Sequence, residues 1–572
     1  MKKKVLSVLL ASAMVVSMAA CGASDEAPAS APDTSSSSSS ASTDTASTDT
    51  AASTDTAAST DTAAAEDYVL EKLHIVVDGT LTATVDSGQQ EFEAQWEEAV
   101  GEKLGHPVDL VITQLDHSDY AGTVSRMLAT SSVGDADYPD AMIMSASMYR
   151  QYQTTGILWD MASAYDNAEF QARVTLPTVN ENMKTADGKL YGFAPTYGNG
   201  CVTYIKQSWL DAVGKTVDDI KTFDDYYNLL LAFTNDDPDG NGSAGTYGVI
   251  AAGFGKLDEA PYINYMPEFW QGAYPSFYQK DGEWVDGFTE QATVEALERL
   301  AKAYADGVID PDTEEAGTKQ AREKFFSNDQ STSEGVFTYW AGTWLRTLTN
   351  NMSKNEVDDD LGDDRLVQLP PIKEIVDTWG GYINREAPVW VITDDGNGDD
   401  SREQAIFDAL LDTMLDGDRV QTLWTYGAED VHWSIHAEEF STNADDPEKR
   451  KDYSYEEGEF HLKQSPNDPN AVWKKNHLDP VLVIAPLTNG FVDSDPLVTA
   501  GNKFFTENCV DAPQSPSSET LTEVEADLAT DKTTYLNNVV AGKMTAEDAI
   551  ADYQSKWGDT INTILEELNS AE

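Results

Sequence analysis

Residues 73–77 read LHIVV, and the fold class turns on this run and its successors: Phe92, Trp96, Val100 and Leu104 at helical spacing, then VDLVIT at 108–113. An apolar run of this length suits a buried strand, whereas apolar residues recurring every third or fourth position mark one face of a helix. The spacing predicts a further helix over 120–130 and a third strand in AMIM at 141–144. Strands separated by helices predict an α/β fold whose sheet is covered on both faces. The pattern returns downstream. Val294, Leu297, Leu300, Ala301 and Tyr304 form one apolar face that Gly307 ends. A last helix is capped by Thr545 with Asp548 three residues on, and its buried stripe reads Ile550, Tyr553, Trp557, Ile561, Ile564 and Leu568.

Upstream of the first strand the sequence has a different character. Lys2, Lys3 and Lys4 precede the apolar stretch VLSVLLASAMVVSM at 5–18, which is shorter than the ~20 residues a membrane span needs and reads as an export signal over 1–20. The junction MAAC followed by Gly22 resembles a bacterial lipobox, which makes Cys21 the lipidated first residue of the mature chain. Residues 21–67 consist mainly of Ser, Thr, Ala and Asp, with ASTDT at 41–45, 46–50, 52–56 and 58–62. So few apolar side chains cannot offset the entropy of ordering, and the segment is predicted to be a disordered tether. The folded part begins near Tyr68.

Across the 572 residues, 37 Lys and Arg face 100 Asp and Glu, a formal net charge of −63. Nucleic acid is excluded as a partner, because binding phosphates takes clustered cations. Three cysteines, none in a CxxC pair, make neither a disulfide scaffold nor a structural zinc site. Cys201 and Cys509 stay open as a disulfide or as two thiols.

Several blocks then occur in a telling order. YPDAM at 138–142, GILWDM at 156–161, YGFAPTYG at 191–198, SWLDAVG at 208–214 and KTFDDYYNLLLAF at 221–233 are followed by DPDGNG at 237–242 and TYGV at 246–249. EFWQGAYPSFYQKDGEWVDG at 268–287, ALERLAKAYADGVIDP at 296–311 and YGAEDVHW at 426–433 complete the set. Together they resemble the extracellular solute-binding proteins (family 1 type) of carbohydrate ABC importers, bacterial lipoproteins. The resemblance implies a two-lobed, periplasmic-binding-protein-like (type II) α/β fold, with a hinge and an interlobe cleft. On this reading lobe 1 takes 68–195 plus 334–385 and lobe 2 takes 196–333 plus 386–572. The implied protein is a monomer without covalent chemistry or required cofactor. Anchored to the outer face of the cytoplasmic membrane, it captures an oligosaccharide and delivers it to a membrane permease. A secreted glycoside hydrolase, whose chemistry needs only two carboxylates, and a receptor for peptides or other solutes stay open.

Sugars present an apolar CH face and a ring of hydroxyls, so a site for them combines flat aromatics with paired donors and acceptors. Aromatic clusters therefore nominate the ligand contacts. Trp270 lies with Tyr274 where the resemblance places a cleft residue; Trp340 and Trp344 are four residues apart, on one face if helical. Tyr197 and Asn199 follow the expected hinge, and Trp390 lies in a strand-like run. Arg346 and Arg150 are candidates to fork onto an acidic sugar. DPDGNG offers Asp237, Asp239, Asn241 and Ser243 at positions 1, 3, 5 and 7 of an EF-hand-like loop, where the resemblance implies a structural calcium. Positions 9 and 12 are Gly245 and Gly248, which removes the closing carboxylate.

Overall fold

A computed structural model describes residues 68–570, apart from 79–87, 117–118, 154, 186, 241, 243–244, 327–332, 443–450, 465–486, 489, 492–494, 514–515 and 517. Cys21, the export signal, the tether, Asn241 and Ser243 lie outside the described residues. The strands that matter here are β1 (Lys72–Asp78), β2 (Asp109–Leu115), β3 (Ala141–Met144), β4 (Cys201–Lys206), β5 (Thr246–Ile250), β6 (Phe277–Lys280), β7 (Glu283–Asp286), β8 (Ser333–Trp340), β9 (Leu366–Leu369), β10 (Tyr382–Ile383) and β11 (Val389–Ile392). Among the helices are α1 (Gln89–Leu104), α2 (Tyr120–Thr130), α3 (Ala146–Tyr152), α4 (Phe223–Asn235), α5 (Gln291–Ala305), α6 (Trp344–Lys354), α7 (Pro496–Asn508), α8 (Glu519–Val540) and α9 (Ala546–Ser570).

Two four-stranded sheets organise these elements, in the orders β11-β3-β1-β2 and β5-β8-β4-β9. LHIVV is the centre of the first: β1 runs parallel to both β2 and β3, and β11 closes the edge antiparallel to β3. Parallel strands need crossovers, and α1 supplies one, burying the predicted Phe92, Trp96 and Val100. In the second sheet β8 pairs parallel with β5 and antiparallel with β4, which in turn pairs antiparallel with β9. Helix α5 buries Val294, Leu297 and Leu300, and Gly307 ends the segment at φ +73°. Along α9, Ile550, Tyr553, Ile561, Ile564 and Leu568 are buried as expected, and the amide of Asp548 donates to Thr545 Oγ1 at 3.1 Å. Trp557 is only half-buried, with its Nε1 donating to Asp531 at 2.7 Å.

The hydrophobic core divides accordingly. One cluster gathers side chains from Leu70 to Ala194 and from Ala387 to Ala428, and the other from Cys201 to Ile383 and from Phe505 to Leu568. This corrects the expected lobe boundaries. Residues 334–385 carry β8, β9 and β10 and belong with the second sheet, because Thr338 pairs with Thr203 and Leu369 pairs with it from the other side. Conversely, 387–428 returns to the first core, where Trp390 pairs with Ile143.

Candidate functional site

Between the two cores the chain crosses as a ribbon. Phe193 and Trp390 exchange backbone hydrogen bonds at 2.8 Å, the Arg385 amide donates to the Asn199 carbonyl at 3.0 Å, and Gly200 bridges Asn384. The contact is so close that a Cβ on Gly198 would lie 1.6 Å from the Arg385 carbonyl oxygen. A third strand braces the ribbon, since the Asn384 amide donates to the Val510 carbonyl at 2.9 Å. Tyr197 stacks flat on Phe505 of α7, with centroids 4.7 Å apart and planes at 14°.

On this ribbon, two adjacent charged residues reach in different directions. Arg385 lays its guanidinium over the Trp340 ring, 4.0 Å from the centroid, and pairs with Glu259, which lies beyond β5 in the second lobe. Next to it, Glu386 pairs with Arg150 of α3 at 2.9 Å. The hinge is therefore tied to lobe 2 by one ion pair and to lobe 1 by the other. Burial pushes the Glu259 carboxyl above its ordinary range, and the neighbouring Arg385 counteracts that. Near this pair, burial raises the Tyr265 hydroxyl too, and Glu259 adds to the rise. Among the described residues the Tyr265 oxygen has no hydrogen-bond partner, and neither has Glu259 Oε2 nor either polar atom of the Asn264 amide. Buried polar groups are rarely left so, and three residues of one loop carry them here.

The sequence nominations separate on this geometry. Asn199 stands at the ribbon, and so does Tyr197, with one face covered by Phe505; Trp340 is only 2% exposed and packs in the second core with Arg385 over its ring. Trp270 is a core residue: it is 0% exposed, and its Nε1 donates to the Phe254 carbonyl at 2.8 Å. Tyr274 is likewise enclosed by Tyr262, Tyr278 and Trp379. Trp390 is buried in β11 against Trp424. Trp344 does not share a helical face with Trp340, because Trp340 ends β8 while Trp344 begins α6; its ring packs edge-on against Tyr339. Arg346 is within 3.5 Å of Asp495, and Arg150 is engaged by Glu386. Sequence reasoning missed Arg385, Glu386, Glu259, Asn264 and Tyr265. One signal was available for the first two, a charged pair set between the apolar runs YIN and APVWVI.

The DPDGNG loop lacks the closing carboxylate of a calcium cage, and two of its four donors, Asn241 and Ser243, lie outside the described residues. Both oxygens of Asp237 face the loop's own Gly242 amide, at 3.0 and 3.1 Å. Position 12, Gly248, falls inside β5, where a Cβ would meet Leu230 at 2.7 Å. Cys201 and Cys509 stand as separate thiols.

Comparison with known proteins agrees with this architecture. No family model matches the sequence. Lipoprotein LipO of Bacillus subtilis (strain 168) is 32% identical over 130 residues, 22% of this chain and 25% of that protein. The polygalacturonan/rhamnogalacturonan-binding protein YtcQ of the same organism is 23% identical over 338 residues, 57% of this chain and 62% of that protein. The match thus spans less than two thirds of either relative. Among solved structures, the HMO-binding ABC-transporter associated solute-binding protein of Bifidobacterium longum infantis superposes with a TM-score of 0.55 at 12% identity, covering 88% of this chain and 98% of that one. The N-glycan transport solute-binding protein of Streptococcus pneumoniae gives 0.56 at 14%, with the same coverage. The S. pneumoniae substrate-binding protein FusA in complex with kestose gives 0.53 at 16%, covering 87% and 99%. The chain has the two-lobed α/β fold of the solute-binding proteins of ABC importers.

Proposed function

We propose that the protein is the lipid-anchored substrate-binding component of an ABC importer, capturing an oligosaccharide between its lobes and delivering it to a membrane permease. The observation that carries this reading is the ribbon of paired crossings, flanked by an aromatic ring and unsatisfied polar atoms. A hinge of that kind lets two rigid lobes close on a ligand. The solved neighbours, named for HMO binding, N-glycan transport and a complex with kestose, support the cargo class. Trp340, Asn199, Glu259, Asn264 and Tyr265 are the proposed contacts. Trp340, buried beneath the Arg385 guanidinium, backs the site, and the others offer donors and acceptors for hydroxyls.

Cys21 is the proposed lipid attachment, and residues 21–67 are the proposed tether between the outer face of the membrane and the folded receptor. No helix among the described residues is long and apolar enough to cross a membrane. The receptor acts as a monomer, needs no cofactor and leaves its cargo chemically unchanged. Tryptophan fluorescence and thermal stability, measured against a panel of oligosaccharides recovered afterwards for analysis, test the reading. A saturable shift with intact sugar supports it. Cleaved sugar makes the protein a hydrolase, and a response only to peptides or other solutes moves the cargo class.

A further inference from the structure

The charge state of the cargo is constrained by what the hinge cations already hold. The strongest recognition of a uronic acid comes from a cation that forks onto its carboxylate and compensates its charge. The two arginines at the ribbon are both engaged. Arg150 is held by Glu386 at 2.9 Å and Arg385 by Glu259, with Trp340 covering the guanidinium face. Their four side chains are 11% and 13%, and 21% and 19% exposed, so neither pair is a loose surface contact. Arg346, the other candidate, lies beside Asp495.

What the site offers instead is neutral hydrogen-bonding capacity and one carboxylate oxygen that accepts hydrogen bonds. Among the described residues, Asn264 is 3% exposed with both polar atoms unpartnered, Tyr265 is 1% exposed with its hydroxyl unpartnered, and Glu259 Oε2 has no donor. A sugar hydroxyl both donates and accepts, so it satisfies all three groups. A carboxylate only accepts. It gives nothing to Glu259 Oε2 and is repelled by it, and although Arg150 Nε is left as one buried donor, the charge of each arginine is already compensated by a partly buried glutamate. The net charge of −63 opposes a polyanion at longer range as well.

We infer, resting on the receptor reading above, that the cleft selects uncharged oligosaccharides over uronate-containing ones, with the Glu259–Arg385 and Glu386–Arg150 pairs as the specificity-determining groups. This separates the chain from the cargo named for its polygalacturonan-binding relative.

Calorimetric titration of the full-length protein with neutral tetrasaccharides and with tetragalacturonate tests it. Neutral ligands are expected to bind at least tenfold more tightly. Glu259→Gln, which unties Arg385 while keeping the shape, is expected to narrow that ratio severalfold, and Glu386→Gln to do the same through Arg150 if the first variant folds poorly. A preference for tetragalacturonate, or a ratio unmoved in both variants, overturns the inference and leaves the receptor reading intact. So does a preference that disappears at 0.5 M salt, which would assign it to net charge alone. Binding of no saccharide at all overturns both.

Discussion

Trp270 packs the edge of its ring against Gly255, where an added Cβ would meet it at 3.0 Å, and its only polar atom already has a partner. Such a side chain holds lobe 2 together and has no face left for a sugar. Trp270→Ala is therefore expected to lower unfolding free energy by about 3–5 kcal/mol in urea titration, with saccharide affinity of the folded fraction unchanged. Glu334 makes a different residue-scale case. Buried on β8 beside Asp310, it has its carboxyl pushed up to about 9, first by burial and then by Asp310, with Lys206 opposing. A carboxyl raised in the folded state favours folding while protonated. Its contribution is complete below the ordinary 4.5 and is lost as pH climbs towards about 9. Melting temperature is expected to fall from pH 5 to 9, and Glu334→Gln to flatten that fall in a calorimetric pH series.

At the scale of elements, the crossing ribbon depends on backbones that touch. Gly198→Ala places a methyl where the Arg385 carbonyl oxygen stands, 1.6 Å away, so the two crossings must separate. Overpacking of this kind costs about 1–3 kcal/mol or more. The variant is expected to unfold at lower urea and to bind saccharide more weakly, as both titrations would register. What the sequence disclosed at this scale was local. LHIVV, the Phe92–Trp96–Val100 face and the Thr545 cap are legible because periodicity and capping are set by neighbours within one element. The partner of β8 was not, because Thr338 meets Thr203 across 135 residues and nothing local encodes that pairing. The site was harder still. An aromatic such as Trp270 suits a core and a sugar platform equally, and only burial separates the two. Arg385 and Glu386 were visible as a charged pair between apolar runs, yet their opposite directions emerge only from the fold.

For the whole molecule, two separate cores joined by a thin ribbon predict partial independence. The first core draws on 70–194 and 387–428 and the second on 201–383 and 505–568, and Tyr197 packs against both. Neither lobe is built from one continuous stretch, so each must await chain from beyond the other before its sheet is complete. A ligand bound within one lobe would stabilise that lobe alone and leave the molecule's dimensions unchanged. A ligand held between them must stabilise both, because either lobe's unfolding destroys the site. It must also draw the lobes together, by adding contacts from lobe 1 to those named here, which lie on lobe 2 and the ribbon. At a hundred times its dissociation constant, such a ligand adds about 2.7 kcal/mol to the state that binds it. Calorimetry of the unliganded protein is accordingly expected to show a broadened or double transition that a saturating oligosaccharide merges into a single, higher one. X-ray scattering of the same samples is expected to show a smaller radius of gyration. A sugar that raised only one transition, with no compaction, would place binding inside one lobe and make the ribbon a connection without a role in capture.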